Sequence, residues 1–490
     1  MIKKLFSDIL VYTLANIMHR LLIPFLSIIF AFSFSSELYG AWGIYISIVP
    51  LLIILIDFGL HKALGRFYFD NNKGDLEKHS KFISNILNIR IYSFIFLIGL
   101  CFILFNFLWQ YIIPEQIPKF PFLHILLVYS GFEVFLLFIL TYLRISLSFI
   151  SYFILRFIQF LVAIFLAIIF SSFYGFTGGS ISLVLSSGIT VIITFFYFYF
   201  LSNKSIKLSY DKDYTKEIFN YSFPLLISDL SWWLRNTSVP IIISFYFPLS
   251  IAGDFHIAFI FASAYGMLIW CFSLALEPIY FNYRNLKINE IEKDNNIKFF
   301  TRIIVFFFSI ITIFSAIIFS NILSNVFTNF SKTTGEIVLV LIYGSYFQLF
   351  SVLWFKPILF RKKTRIIPVI TIFTGTLSLV LYIIFIPKYV LWASTIINGV
   401  CYIIVAISAL LLARKIDSLG VEIKVYIPSI ISVGTSILSY YLVLVDKMHI
   451  SISLLIILIC CLVIFISLIY RDYKRLILFI KNNYKLNNNV

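Results

Sequence analysis

Charge is scarce in this sequence: Asp, Glu, Lys and Arg make up 12% of 490 residues, against 61% hydrophobic residues. Soluble domains carry about a quarter charged residues, so a chain this long and this apolar reads as a polytopic membrane protein. Acidic residues are the scarcer sign, 22 against 38 basic ones, for a formal net charge of +16. The basic residues are nevertheless scattered between apolar runs instead of forming one basic domain, which argues against nucleic acid as the partner. The five cysteines (Cys101, Cys271, Cys401, Cys460, Cys461) all fall inside apolar runs without metal-ligand spacing. They read as small buried hydrophobes, and neither a disulfide framework nor a metal site is expected. There is no Walker loop, no HExxH, no GxSxG in a strand-turn-helix setting and no paired-cysteine motif. ATP hydrolysis, covalent catalysis and a bound cofactor are therefore not expected.

Long apolar runs are what the chain does have. A membrane span takes about 20 apolar residues, and that length finds about fourteen: 8–32, 41–60, 82–108, 122–143, 150–171, 181–201, 221–246, 251–275, 299–322, 336–357, 366–386, 391–412, 425–445 and 450–470. The start, MIKKLFSDILVY, resembles a signal-peptide n-region, but no small-residue cleavage site follows and His19 and Arg20 interrupt the run. It reads as an uncleaved first helix. With both termini in the cytoplasm, and Arg156, Arg302 and Lys356 at the inner edges of their spans counted with the inner segments, only Lys119, Lys332, Lys388 and Lys447 lie on the outer side and only Arg20, Arg90 and Arg235 fall deeper within spans. The remaining Lys and Arg lie inside, as the positive-inside rule requires of a correct count. The outer loops are short, the longest near 110–121 and 323–335, which leaves no external domain for a glycosyltransferase or polymerase.

The two parts of the chain echo each other. Arg20, Pro24 and Gly40 answer to Arg235, Pro240 and Gly253 at offsets of 213 to 216, and YSGFEVFLLFILTYLR answers to YGSYFQLFSVLWFKP with Gly131 matching Gly344. The expected fold is all-α: two six-helix lobes, 1–201 and 221–412, joined by a charged linker at 202–220 and followed by two more helices and a tail at 413–490. An even number of helices per copy makes the copies parallel, related by an axis along the membrane normal.

Ionisable groups inside spans are costly, about 2.5–3.5 kcal/mol at mid-depth on the insertion scale, and so are candidates for function. The set is His19, Arg20, Arg90, Glu133, Arg156, Asp229 and Arg235, with Asn236, Gln348 and Asn398 beside them. Arg20 and Arg235 are expected in a polar cavity between the lobes, where arginine suits bidentate phosphate binding; the competing reading is a structural pair or a snorkelling side chain. Arg90 and Asn236 are candidates for the same cavity. Glu133 has no basic neighbour on its own turn and reads either as a proton or cation coupling site or as a neutral hydrogen-bonding residue. Asp229 is the second coupling candidate, and six residues is the wrong spacing for it to face Arg235 on one helix. The segment 57–79, DFGLHKALGRFYFDNNKGDLEKH, reads as a reorienting gate loop holding Asp57 and Arg66, or as a plain solvated connector. Arg66 is placed to meet an anionic head group.

These stretches resemble the polysaccharide transporter family of flippases, the Wzx-type exporters of O-antigen and capsule repeat units, within the superfamily that includes multidrug extruders and lipid II flippases. The resemblance is carried by SSELYGAWGIY, DFGLHKALGRFYFD, YSFPLLISDLSWWL, LALEPIYFNYRN and FKPILFRKKTRIIPVITIFTGTLSLVLYIIFIPKYV, in that order along the chain. It implies a V-shaped pair of lobes in the bacterial inner membrane that carries an undecaprenyl-pyrophosphate-linked oligosaccharide by alternating access. It further implies a polysaccharide polymerase and a chain-length regulator as partners alongside membrane lipids, and drive from an H+ or Na+ gradient. Arg20, Arg235 and the helix-opening Pro224 match family positions. Ser238 and Val239 stand where many members have an Asp-Arg pair, and Val390 stands where a glycine is usual. The alternative is a multidrug or organic-cation antiporter of the same fold, whose cavity would be acidic.

Overall fold

A computed structural model describes residues 2–71, 76–115, 117–146, 148–201, 212–285, 289–361, 363 and 365–417. The expected last two spans and the tail lie outside the described residues, as does 202–211 of the linker. The described chain is helical with no strand: α1 (Ile2–Ser33), α2 (Ser36–Asp57), α3 (Leu60–Asn71), α4 (Leu76–Ile112), α5 (Lys119–Ile145), α6 (Phe149–Leu201), α7 (Lys212–Asn236), α8 (Val239–Ser244), α9 (Leu249–Asn285), α10 (Glu290–Asn325), α11 (Thr333–Phe360) and α12 (Ile366–Ile416). Among the described residues eight helices are long and apolar enough to cross a membrane.

Two of those helices are hairpins of two arms. At 1.5 Å per residue the 53 residues of α6 would run about 80 Å if straight, far beyond a hydrocarbon core of about 30 Å. The chain breaks at Gly175 (φ 55°, ψ −131°) and folds back, so that Gln159 of one arm reaches Ser187 of the other at 3.3 Å. α12 breaks the same way at Val390 (φ 50°, ψ −120°), and Cys401 lies 3.8 Å from the Thr374 carbonyl across the fold. The breaks are 215 positions apart, the spacing of the sequence repeat. Glycine meets a positive φ without a steric penalty; Val390 carries a branched side chain into it.

In the first half α1 and α5 pack on α6, and α2 on α5 and α4; in the second, α11 packs on α12, α9 and α10, and α7 on α12. The halves meet mainly where α2 and α1 lie against α9. Burial follows this order. In α2 and α11, 72% of the apolar window is buried inside the protein, against 17% in α4, whose Phe96, Ile103 and Phe107 face outward as lipid-facing side chains would.

At the α2–α9 crossing Gly40 and Gly253, the pair matched in the sequence, face each other. A Cβ on Gly40 would lie 1.9 Å from the Leu249 carbonyl oxygen, and one on Gly253 2.5 Å from that of Ser36. Only glycine permits this approach, which brings the two halves into backbone contact there. The opposite end is where the sequence reading needs correction. The expected gate loop begins as a helix, α3, because Leu60, Ala63, Leu64, Phe67 and Tyr68 fall at helical spacing and bury one face with Ile86, Ile89, Phe138 and Ile218. Span 221–246 is also not one helix: α7 ends at Asn236 and α8 restarts at Val239, with Pro240 in its first turn.

Candidate functional site

Arg235 closes α7, clamped between the two arms of α12. Its carbonyl accepts hydrogen bonds from Tyr382 (3.0 Å) on one arm and Asn398 (3.3 Å) on the other. Its guanidinium donates to Thr374 Oγ1 at 3.4 Å and lies 4.9 Å from the centre of the Tyr402 ring. Tyr402 in turn donates to Asn236 Oδ1 at 2.8 Å, and Asn236 donates to the Trp232 carbonyl at 2.9 Å. Gly375 permits the close packing: a Cβ there would sit 2.6 Å from the Ser231 carbonyl oxygen. Arg235 is buried, yet no carboxylate among the described residues pairs with it, and its Nε has no hydrogen-bond partner among them. A buried guanidinium met by one hydroxyl and an aromatic face, with no carboxylate beside it among the described residues, is an under-neutralised positive site.

Arg20 is the counterpart on α1. Its side chain is exposed, with the guanidinium carbon 3.5 Å from the centre of the Trp270 ring on α9, so the contact crosses between the halves. Cation–π stacking of this kind positions an arginine side chain against an aromatic face. The side chain of His19 lies outside the described residues.

Arg90 is placed elsewhere. It is buried on α4, 3.1 Å from Asp57 Oδ1, and donates to the carbonyls of Asp57 (3.1 Å) and Val134 (2.8 Å), tying α2 and α5 to α4. Asp57 also meets His61 Nδ1 at 2.6 Å. Between them Phe58 and Gly59 take left-handed backbone (φ 53° and 74°) and turn the chain from α2 into α3. The next residue, Lys62, reaches across to α7 and donates to both carboxylate oxygens of Asp229, at 2.6 and 2.7 Å. Asp229 is thus joined to the first half and not to Arg235. The side chain of Arg66 lies outside the described residues, while its backbone belongs to α3.

Glu133 is buried in the first half at the centre of a network. It accepts from Gln159 (2.5 Å) and Ser187 (2.6 Å), and Arg156, which donates to Gln159 at 2.7 Å, stands 3.9 Å from its other oxygen. The network joins α5 to both arms of α6. Gln348 lies on α11 with its amide oxygen 3.8 Å from where a Gly266 Cβ would stand, and Asn398 belongs to the Arg235 cluster. Sequence reasoning missed Lys62, Trp270, Thr374, Tyr382 and Tyr402, although Lys62, Thr374 and Tyr382 stood inside stretches already singled out. Among the described residues no group of three or more His, Cys, Asp or Glu could hold a metal ion.

The model of a family described as polysaccharide biosynthesis proteins matches residues 5–284. No curated protein matches the chain. Among solved structures, a lipid II flippase, MurJ, in an inward closed conformation aligns with a TM-score of 0.68 at 16% identity, covering 96% of this chain and all of that one. An inward-facing multidrug resistance MATE family transporter of the MOP superfamily aligns at 0.62 with 15% identity, over 83% of this chain and 95% of that one. The eukaryotic MATE transporter AtDTX14 aligns at 0.51 with 14% identity, over 85% and 98%. At such identities the likeness is one of fold.

Proposed function

We propose, from the premise that the chain belongs to the polysaccharide biosynthesis protein family, that it is a flippase for a lipid-linked oligosaccharide, gripping the diphosphate of an undecaprenyl carrier. The observation that carries the reading is Arg235, a buried guanidinium with no carboxylate partner among the described residues. A diphosphate and a sugar chain cannot enter hydrocarbon unaided, because each unsatisfied polar group costs several kcal/mol there. Arg235 offers charge, Arg20 offers a second cation from the other half, and the amide and hydroxyls of Asn236 and Tyr402 are of the kind that bind sugars. The lipid tail stays in the bilayer while the halves rock about the α2–α9 crossing. With the α3 end in the cytoplasm, as the distribution of Lys and Arg favours, transport runs outward across a bacterial inner membrane. Its direction comes from an H+ or Na+ gradient or from removal of product by a polymerase and its chain-length regulator. O-antigen or capsule units are the fitting cargo. An organic-cation extruder is disfavoured by two arginines that would repel its substrate.

The test is flipping of a labelled undecaprenyl-diphosphate glycan in proteoliposomes, comparing the parent chain with Arg20→Ala and Arg235→Ala variants that insert normally. Loss in both supports the reading. Undiminished flipping in both removes the diphosphate role, and ethidium export without glycan flipping turns the assignment to the extruder.

A further inference from the structure

Among ion pairs between described residues, Lys62–Asp229 alone joins the two halves; the pairs made by Asp57, Glu133 and Asp417 each stay within one. It is also open, with 35% of the Lys62 side chain and 30% of the Asp229 side chain exposed, where Arg90 and Asp57 are shut in at 1% and 3%. Water competes for both ions of such a pair, so it is held weakly. A ligand with more negative charge than one carboxylate can take the ammonium from it.

The reach of Lys62 is built in. Arg90 fixes Asp57, Asp57 holds His61, and that contact clamps the first turn of α3 to the end of α2, directing the following side chain at α7. Around the pair, the contacts between described residues are weak or apolar. Phe58 packs against the rings of Phe219 and Phe223 at 5.6 and 6.2 Å, and Ser222 donates to the Gly59 carbonyl at 3.5 Å. Among the described residues, Lys62–Asp229 is the ion pair that joins α3 to α7.

We propose that Asp229 stands in for the substrate's diphosphate: it holds Lys62 while the site is empty, and the diphosphate displaces it, taking Lys62 as a ligand and releasing α3 from α7. Opening of this seam is then conditional on an anionic head group, and a neutral or cationic amphiphile leaves the latch closed. The inference rests on the flippase reading and deepens it, making Lys62 a specificity-determining residue and Asp229 its internal competitor.

The experiment measures binding of farnesyl diphosphate, with farnesol as the uncharged control, to the purified full-length chain. Asp229→Asn frees Lys62 and is expected to tighten farnesyl diphosphate binding about fivefold, the upper end for a partly exposed pair. Lys62→Gln is expected to weaken it by a similar factor, Lys62→Arg to retain it, and the double variant to match Lys62→Gln. A gain in affinity cannot arise from misfolding, which keeps the Asp229→Asn result interpretable. If Asp229→Asn and Lys62→Gln shift binding in the same direction, or neither shifts it, the pair is a structural tie and the proposal falls while the flippase reading stands. A parent chain that binds farnesyl diphosphate no better than farnesol overturns both.

Discussion

Replacing Gly40 with alanine should force α2 and α9 apart at their glycine crossing. The new Cβ would lie 1.9 Å from the Leu249 carbonyl oxygen, 2.7 Å from its carbon and 3.1 Å from the Gly253 nitrogen. Real Cβ contacts essentially never fall under 3.0 Å, so the helices must separate by roughly 1 Å, and the obstacle is backbone that cannot swing aside. Overpacking of this kind costs about 1–3 kcal/mol. Charged only against the state in which the crossing is closed, that cost moves a two-state equilibrium about 5- to 150-fold toward the open one. The displacement can be read by pulsed electron spin resonance between nitroxides at Leu38 and Tyr246, both exposed near the crossing. Gly40→Ala should move the distance distribution to longer values. Gly131→Ala is the control: its Cβ would meet only the ends of the Phe94 and Ile98 side chains, at 3.3 Å and within one half, and the distribution should stay put. A Gly40→Ala distribution matching that of the parent would show that the glycine crossing is not what holds α2 and α9 together.

Val390→Gly should stabilise the protein: about 1–3 kcal/mol of strain at positive φ is relieved, less about 1 kcal/mol for the freedom glycine loses, and thermal unfolding in detergent would show a rise, or refute the strain by a fall. Arg90→Met leaves the Asp57 carboxylate buried without its arginine partner and should cost about 3–5 kcal/mol in unfolding measurements; unchanged stability would mean that this pair does not hold α2 to α4. Glu133→Ala strands Arg156 and should cost a similar amount, whereas Glu133→Gln keeps the hydrogen bonds and should cost less. If Glu133 carries the coupling ion, Glu133→Gln flips glycan without responding to H+ or Na+ gradients; a retained response leaves it a structural residue.

What the sequence could show was set by the range of the forces involved. Apolar length is local, so the described spans fall where the hydrophobic runs lie, and runs too long for one crossing were divided at 172–180 in α6 and at 387–390 in α12. What the runs could not show is that α12 reverses at Val390 itself, a residue that favours no turn. The pattern of α3 was present at positions 60, 63, 64, 67 and 68, but its dense charges read as loop and hid the stripe. The intramembrane arginines stood out by cost alone. Their surroundings did not, because Thr374 and Asn398 join Arg235 from 139 and 163 positions away, and Lys62 meets Asp229 across 167. A repeat matches residues between copies, yet it cannot reveal that Gly40 and Gly253 touch, because that contact exists only once the two copies are closed on each other. The same reasoning explains why the latch was invisible: it pairs α3 of one half with α7 of the other, and only the closed arrangement brings them together.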